Sequence, residues 1–211
     1  MKAVIVSGGN APSFELIKSE LINCSLIICG DSGANCLRQY GIEPKYLIGD
    51  FDSVKPDVLE YFKSTDCIIE KYPKDKDFTD TCLCMQKAIS SGADEITFLG
   101  CTGTRIDHVL GNIGLMRKCL ENGVKACIKD NNNTIFIANK SIILKKTSAR
   151  YFSIHAYSEI VESLTIKNAK FPLKNYNLLI GDPLTISNEF LDGDVIIEFS
   201  SGLLLVMICK D

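Results

Sequence analysis

Two aspartates separated by one residue, Asp50 and Asp52, are the pair in this chain best suited to chemistry. Carboxylates this close resist joint ionisation unless a cation shares them. An all-oxygen donor set selects a hard divalent ion, and Mg²⁺ commonly takes a few carboxylates together with substrate phosphates. More acids lie in polar turns. Asp31 sits in Gly30-Asp31-Ser32-Gly33, Asp77 and Asp80 in Lys76-Asp77-Phe78-Thr79-Asp80, and Asp107 in the run from Gly100 through Thr102, Gly103 and Arg105 to His108. Glycine turns at helix starts offer backbone N–H groups to phosphate, and Arg105 can neutralise phosphate through two parallel hydrogen bonds. No G-x-x-x-x-G-K-[ST] pattern occurs, and Gly8-Gly9 is a weaker phosphate-loop signal. Each aspartate taken alone also reads as a helix N-cap, Asp31 and Asp77 most readily. His108 reads as a packing or supporting residue, because no serine or cysteine nucleophile motif accompanies it.

These residues matter only if the fold brings them together. Apolar runs at 3–6, 26–29, 46–48, 67–69, 95–99 and 125–128 alternate with helical patterns at 13–22, 32–40, 55–63, 78–91 and 106–121. Gly41, Gly92 and Gly123 follow three of these helices. Such alternation predicts a parallel sheet with helices on both faces. The acid-bearing turns then follow successive strands, so they share the carboxyl edge where open α/β sheets bind ligands. Past residue 138 the helical pattern stops. Strand-like runs at 142–144, 151–156, 164–166, 178–180, 184–187, 195–199 and 203–208 predict an all-β domain, a β-sandwich, with Asp192-Gly193 and Ser201-Gly202 as hairpin turns. Asn131-Asn132-Asn133 reads as a turn. The expected domains are residues 1–139, α/β and nucleotide-binding, and 140–211, all-β.

Composition narrows the field. The 211 residues carry 23 basic and 26 acidic side chains, a net charge of -3, which lacks the basic footprint of a nucleic-acid binder. Apolar residues at 46% fit a packed globular chain. The longest apolar run, 203–209, is too short to span a bilayer, so no membrane partner is expected. Ten cysteines without a C-x-x-C pair, and only two histidines, argue against zinc. Buried free thiols and a cytoplasmic setting are the expectation.

In order and spacing, the four acidic motifs resemble those of the thiamine pyrophosphokinase family. Residues 165–173 and Ser187-Asn188-Glu189-Phe190 resemble its C-terminal β-domain, so the likeness covers nearly the whole chain. It implies Mg²⁺-dependent transfer of the terminal pyrophosphoryl group of ATP to the hydroxyl of thiamine, giving thiamine diphosphate and AMP. It also implies a homodimer whose active sites are shared between subunits. By the same likeness Asp50, Asp52 and Asp80 hold Mg²⁺ and, with Arg105, carry catalysis. Asp31, Ser32, Gly33, Lys76, Thr79, Thr102, Gly103, Arg105 and Asp107 hold ATP, and Ser187, Asn188 and Phe190 face thiamine. Gly30 and Ser32 stand where the family motif often has Ala and Gly. The chain has no tryptophan, which leaves Phe190 as the aromatic for the thiamine ring. Competing readings are transfer to another heterocyclic alcohol such as a pterin, a metal-dependent glycosyltransferase using Asp50-x-Asp52, and a non-catalytic thiamine or nucleotide sensor.

Overall fold

The structure, a computed structural model, describes residues 1–210. The chain divides into two compact units, Met1–Asn131 and Asn132 onward.

In the first unit strands and helices alternate: β1 Lys2–Val6, α1 Phe14–Glu20, β2 Cys24–Gly30, α2 Gly33–Gln39, β3 Tyr46–Gly49, α3 Pro56–Lys63, β4 Ile68–Lys71, α4 Asp80–Ser90, β5 Glu95–Leu99, α5 Ile106–Glu121 and β6 Lys125–Lys129. The strands lie in the order β6-β5-β1-β2-β3-β4, and every neighbouring pair is parallel. All four of Ala3, Val4, Ile5 and Val6 are fully buried. A strand covered on both faces needs this unbroken apolar run, not alternation. Val4, Val6, Cys29 and Leu47 pack into one core with Ile17 of α1, Leu37 of α2 and Phe62 of α3. Cys82, Cys84, Met85 and Ala88 are buried on α4. Gly92 ends α4 at φ +88°, the left-handed cap that glycine supplies without strain. From β1 the chain builds outward through β2, β3 and β4, then returns to place β5 on the other side of β1. The order reverses between β1 and β5, which is where such sheets bind ligands.

The second unit is all-β: β7 Asn133–Ala138, β8 Ile142–Leu144, β9 Tyr151–Ala156, β10 Ile160–Lys167, β11 Leu173–Leu179, β12 Asn188–Glu189, β13 Val195–Glu198 and β14 Leu204–Cys209. One layer is β12-β9-β14-β7 and the other β11-β10-β13-β8, antiparallel throughout. Phe152, Ile154, Val161, Leu164, Val195, Ile197, Leu204 and Val206 from the two layers form a shared core, as a sandwich requires.

Four expectations change here. β7, unread in the sequence, pairs with β14 from Asn133 opposite Cys209 to Ala138 opposite Leu204. This pairing puts residues 133–138 with the sandwich, so the compact units divide eight residues before the expected boundary at 139. Residues 184–187 form turns, not a strand, because the Thr185 hydroxyl and carbonyl both bond to the Ile154 backbone, at 2.5 and 3.0 Å. Neither Asp192-Gly193 nor Ser201-Gly202 closes a hairpin. Each lies between consecutive strands that belong to different layers.

Candidate active site

The loops after the first five strands enclose a cleft of about 880 Å³ in the first unit. Its back wall is two chain segments in close contact, residues 7–10 after β1 and 100–103 after β5. Gly9 N donates to Gly100 O at 2.7 Å, and Asn10 N to Thr102 O at 2.7 Å. A Cβ on Gly9 would lie 2.2 Å from Thr102 O, and one on Gly100, at φ +64°, 2.2 Å from Ser7 O. Only glycine permits this approach at the switch point. Asn112, one turn and a half into α5, braces the loop by donating to Cys101 O at 2.8 Å. Ser7 and Thr81, both buried, share a 3.0 Å hydrogen bond on the cleft wall. Residues 7–10 were visible in the sequence only as a weak glycine pair. Their role depends on β5 lying beside β1, which no local pattern encodes.

The carboxylates converge as expected. A turn places Asp50 and Asp52. Phe51 between them is left-handed, φ 67°, with its ring buried in the α1–α3 core. The resulting turn lets Asp52 N donate to Asp50 Oδ1 at 3.0 Å. Asp31 is also left-handed, φ 43°. Two such non-glycine residues beside one cluster mark a backbone held against its preference, as is common at functional sites. Asp31, Asp50 and Asp52 each bring one oxygen to within 4.8 Å of the others.

Five aspartates line the cleft, Asp31, Asp50, Asp52, Asp77 and Asp80, and two lysines pair with three of them. Lys76 Nζ lies 3.0 Å from Asp80 Oδ1 and 3.7 Å from Asp50 Oδ2. Lys74, unremarked in the sequence, reaches Asp52 Oδ2 at 2.7 Å. Burial opposes the charge on Lys76, but the Asp80, Asp50 and Asp31 carboxylates outweigh it and hold the amine above its ordinary value. Lys74 and then Ser53 hold Asp52 below the usual carboxylate range. Asp31 moves the other way. Burial first, then the charges of Asp80, Asp50 and Asp52, push its carboxyl up against a lowering hydrogen bond with the Ser32 backbone. Its Oδ1 is buried and bonded to no protein group. An unpaired buried oxygen within an all-carboxylate set fits a hard divalent cation. Asp31 thus joins Asp50 and Asp52, and Asp80 lines the same cleft across Lys76.

The helix-cap reading of Asp31 and Asp77 does not hold. Thr79 caps α4 by accepting from Cys82 N at 3.2 Å, and Ser32, which precedes α2, makes no side-chain cap. Ser32, Lys76, Thr79, Thr102, Gly103 and Arg105 all line the cleft with Asp31. Gly33 lies just behind, where a Cβ would meet Val6 O at 2.4 Å. Arg105 grips Asp107 through two bonds, 2.6 and 3.3 Å, both side chains well exposed. Asp107 faces a smaller adjoining recess of about 300 Å³ with Phe78, Cys82 and Lys118. His108 is exposed and lines both hollows, so it is no packing residue. Cys101 also borders the cleft, but burial pushes its thiol up to about 12, which removes it as a nucleophile at neutral pH.

The residues expected to face thiamine are placed unequally. Phe190 is 7% exposed, its ring 5.0 Å from that of Phe152 inside the sandwich core. The Asn188 amide accepts from Phe171 N and Glu189 N and donates to Phe171 O. Both belong to the frame of the sandwich. Ser187, at φ 57°, is fixed through its N–H to Ser153 Oγ at 3.0 Å.

Fold and cleft together define a class: an α/β unit with a glycine-walled, carboxylate-lined cleft at its switch point, followed in the chain by a β-sandwich. Residues 17–128 match the model of the thiamin pyrophosphokinase catalytic domain, and residues 140–204 that of the thiamin pyrophosphokinase vitamin B1 binding domain. The chain belongs to the thiamine pyrophosphokinase family. It is 32% identical to the thiamine pyrophosphokinase of Bacillus subtilis over the full length of both. The crystal structure of a Bacillus subtilis thiamine pyrophosphokinase is similar over all of both chains, with a TM-score of 0.91 at 30% identity. The thiamin pyrophosphokinase of Candida albicans shares the fold, with a TM-score of 0.84 over 99% of this chain and 90% of that one, at 17% identity.

Proposed function

We propose that this chain transfers the pyrophosphoryl group of ATP to the hydroxyl of thiamine, releasing AMP and thiamine diphosphate. The observation that carries the reading is the carboxylate trio of Asp31, Asp50 and Asp52 beside the glycine wall. One side suits a cation and the other suits phosphate. Asp31, Asp50 and Asp52 would hold Mg²⁺, with Asp80 beside them across Lys76. When bound, the ion supplies charge neutralisation to the phosphate oxygens. The chain's own part is positioning, since phosphoryl-type transfer leaves the protein little covalent work. The loops at 7–10 and 100–103, drawn together by their glycines, form the wall against which the polyphosphate would lie. Arg105, already in fork geometry on Asp107, exchanges that partner for phosphate. Lys76 keeps Asp50 and Asp80 at a fixed separation. The acidic edge also attracts cationic thiamine.

The test is direct. Purified chain with Mg²⁺, ATP and thiamine should form AMP and thiamine diphosphate in equal amounts. No AMP, or ADP in its place, refutes the reading. A pterin preferred over thiamine changes the acceptor.

Two further parts of the reading concern setting. A homodimer is supported by apolar side chains left open on the sandwich unit, among them Phe171 at 57%, Leu184 at 56% and Ile180 at 65% exposure. A fully active monomer in light scattering would remove it. A cytoplasmic location is supported by buried free cysteines, Cys29, Cys82, Cys84, Cys101 and Cys119 among them, and fractionation checks it. Among the described residues, no helix is long and apolar enough to cross a membrane.

A further inference from the structure

The two lysines of the cleft are held in opposite ways. The Lys76 side chain is 12% exposed, lies against both Asp50 and Asp80, and donates to Pro73 O at 3.3 Å. The Lys74 side chain is 77% exposed and meets the cleft through one contact, Asp52 Oδ2 at 2.7 Å. Asp52 belongs to the carboxylate trio. Any cation that takes Asp52 as a ligand therefore competes with the Lys74 ammonium for the same charge. An exposed ion pair of this kind is weak and easily exchanged. Lys74 also sits on the loop between β4 and α4 and lines the cleft. Once released from Asp52, its flexible stem keeps the charge at the mouth through which a polyphosphate enters.

We infer that Lys74 is an exchangeable counter-ion: it neutralises Asp52 before the metal and nucleotide arrive, then transfers to the polyphosphate. It is a positioning residue whose two states have different partners. The second state rests on the ATP reading above; the first concerns cation binding alone.

Removal of Lys74 should then have two effects of opposite sign. Cation binding without nucleotide should tighten, because a competitor is gone. Nucleotide binding should weaken, because a phosphate partner is gone. A lysine that only decorated the surface would produce neither effect, and one that only anchored phosphate would produce the second alone.

The experiment titrates Mn²⁺, followed by its free-ion resonance signal, against the wild type, K74A and K74R without nucleotide. It then measures binding of a non-hydrolysable ATP analogue at saturating Mn²⁺ by calorimetry. K74A should bind Mn²⁺ about two- to fivefold more tightly, with the difference shrinking towards about 0.5 M salt as the pair is screened. It should bind the analogue roughly three- to tenfold more weakly. K74R should stay near the wild type in both. Unchanged or weaker Mn²⁺ binding by K74A overturns the inference, as does unchanged analogue affinity. A chain that shows both shifts yet releases no AMP with thiamine keeps the exchange and loses the acceptor.

Discussion

Glu20 and Asp31 are both withdrawn carboxylates of the same α/β unit, and their surroundings are opposite. Glu20, 8% exposed, accepts from Lys129 at 2.5 Å, Lys2 at 3.0 Å and Thr97 Oγ1 at 3.2 Å. One acid there has two cations and a hydroxyl. In the cleft, Lys74 pairs with Asp52 and Lys76 with Asp50 and Asp80, while Asp31 Oδ1 has no hydrogen-bond partner. Burial raises the Glu20 carboxyl, but its lysines outweigh that and hold it below the ordinary value. Burial also raises Asp31, and its neighbours raise it further. The first cluster is complete within the protein and serves stability. The second carries an excess of negative charge that a bound cation would offset. Counting partners, not acids, separates structure from site.

The strongest attempt to break this comparison is Asp52→Asn. It removes charge from the trio while leaving the side-chain shape, so AMP formation at saturating Mg²⁺ should fall roughly a thousandfold. The melting temperature should hardly move. A near wild-type rate would take Asp52 out of the site.

Next in size is Phe190→Ala. Phe190 is a satisfied group in the sense that Glu20 is, closed in by the sandwich core. Truncation should cost about 3–4 kcal/mol of unfolding free energy in urea titration, with KM for thiamine in the folded fraction unchanged. A raised KM at wild-type stability would return Phe190 to the thiamine side.

Glu20→Gln should cost less, about 2 kcal/mol, since it leaves two lysines without their carboxylate while both keep some access to water. AMP formation per folded molecule should be unaltered. The pH dependence has a defined sign. A carboxyl held below its unfolded value, 4.5, stabilises above that value and loses its contribution as pH falls through the folded one. The gap between wild type and variant should therefore be full at neutral pH and close in acid. A gap independent of pH would mean packing, not charge, holds Glu20.

The comparison also explains what was legible in the sequence. The α/β alternation and the convergence of the acids followed from strand direction alone, because a parallel sheet puts every strand's carboxyl end on one edge. The membership of the trio did not follow. Asp31 joins Asp50 and Asp52 through a left-handed turn, and a lysine four residues before Asp80 stands between Asp80 and Asp50; side-chain pairing of that kind has no periodic signature. Lys74 was invisible for the same reason. In the sandwich, β7 was obscured by the run Asn131-Asn132-Asn133 at its start, since its strand character depends on distant β14. Phe190 was read as a ligand contact by family likeness, while its burial depends on Phe152 in a strand nearly forty residues away.

The finest test is the stability of Asp31→Asn. A carboxyl whose folded value lies above its unfolded one, 3.8, destabilises the fold once pH exceeds the folded value, and the penalty fades as pH falls through it. Asparagine tolerates the left-handed backbone at this position and carries no charge for Asp50, Asp52 and Asp80 to repel. The variant should therefore melt slightly above the wild type at neutral pH, with the gain shrinking in acid, opposite in sign to Glu20→Gln. Added Mg²⁺ should raise the melting point of the wild type more than that of the variant, because ligand binding stabilises only the form that binds. AMP formation should fall as well, so stability and activity part company at this residue. A variant that melts below the wild type at neutral pH would make Asp31 a paired structural acid like Glu20, and the distinction between the two clusters would fail at its most exact point.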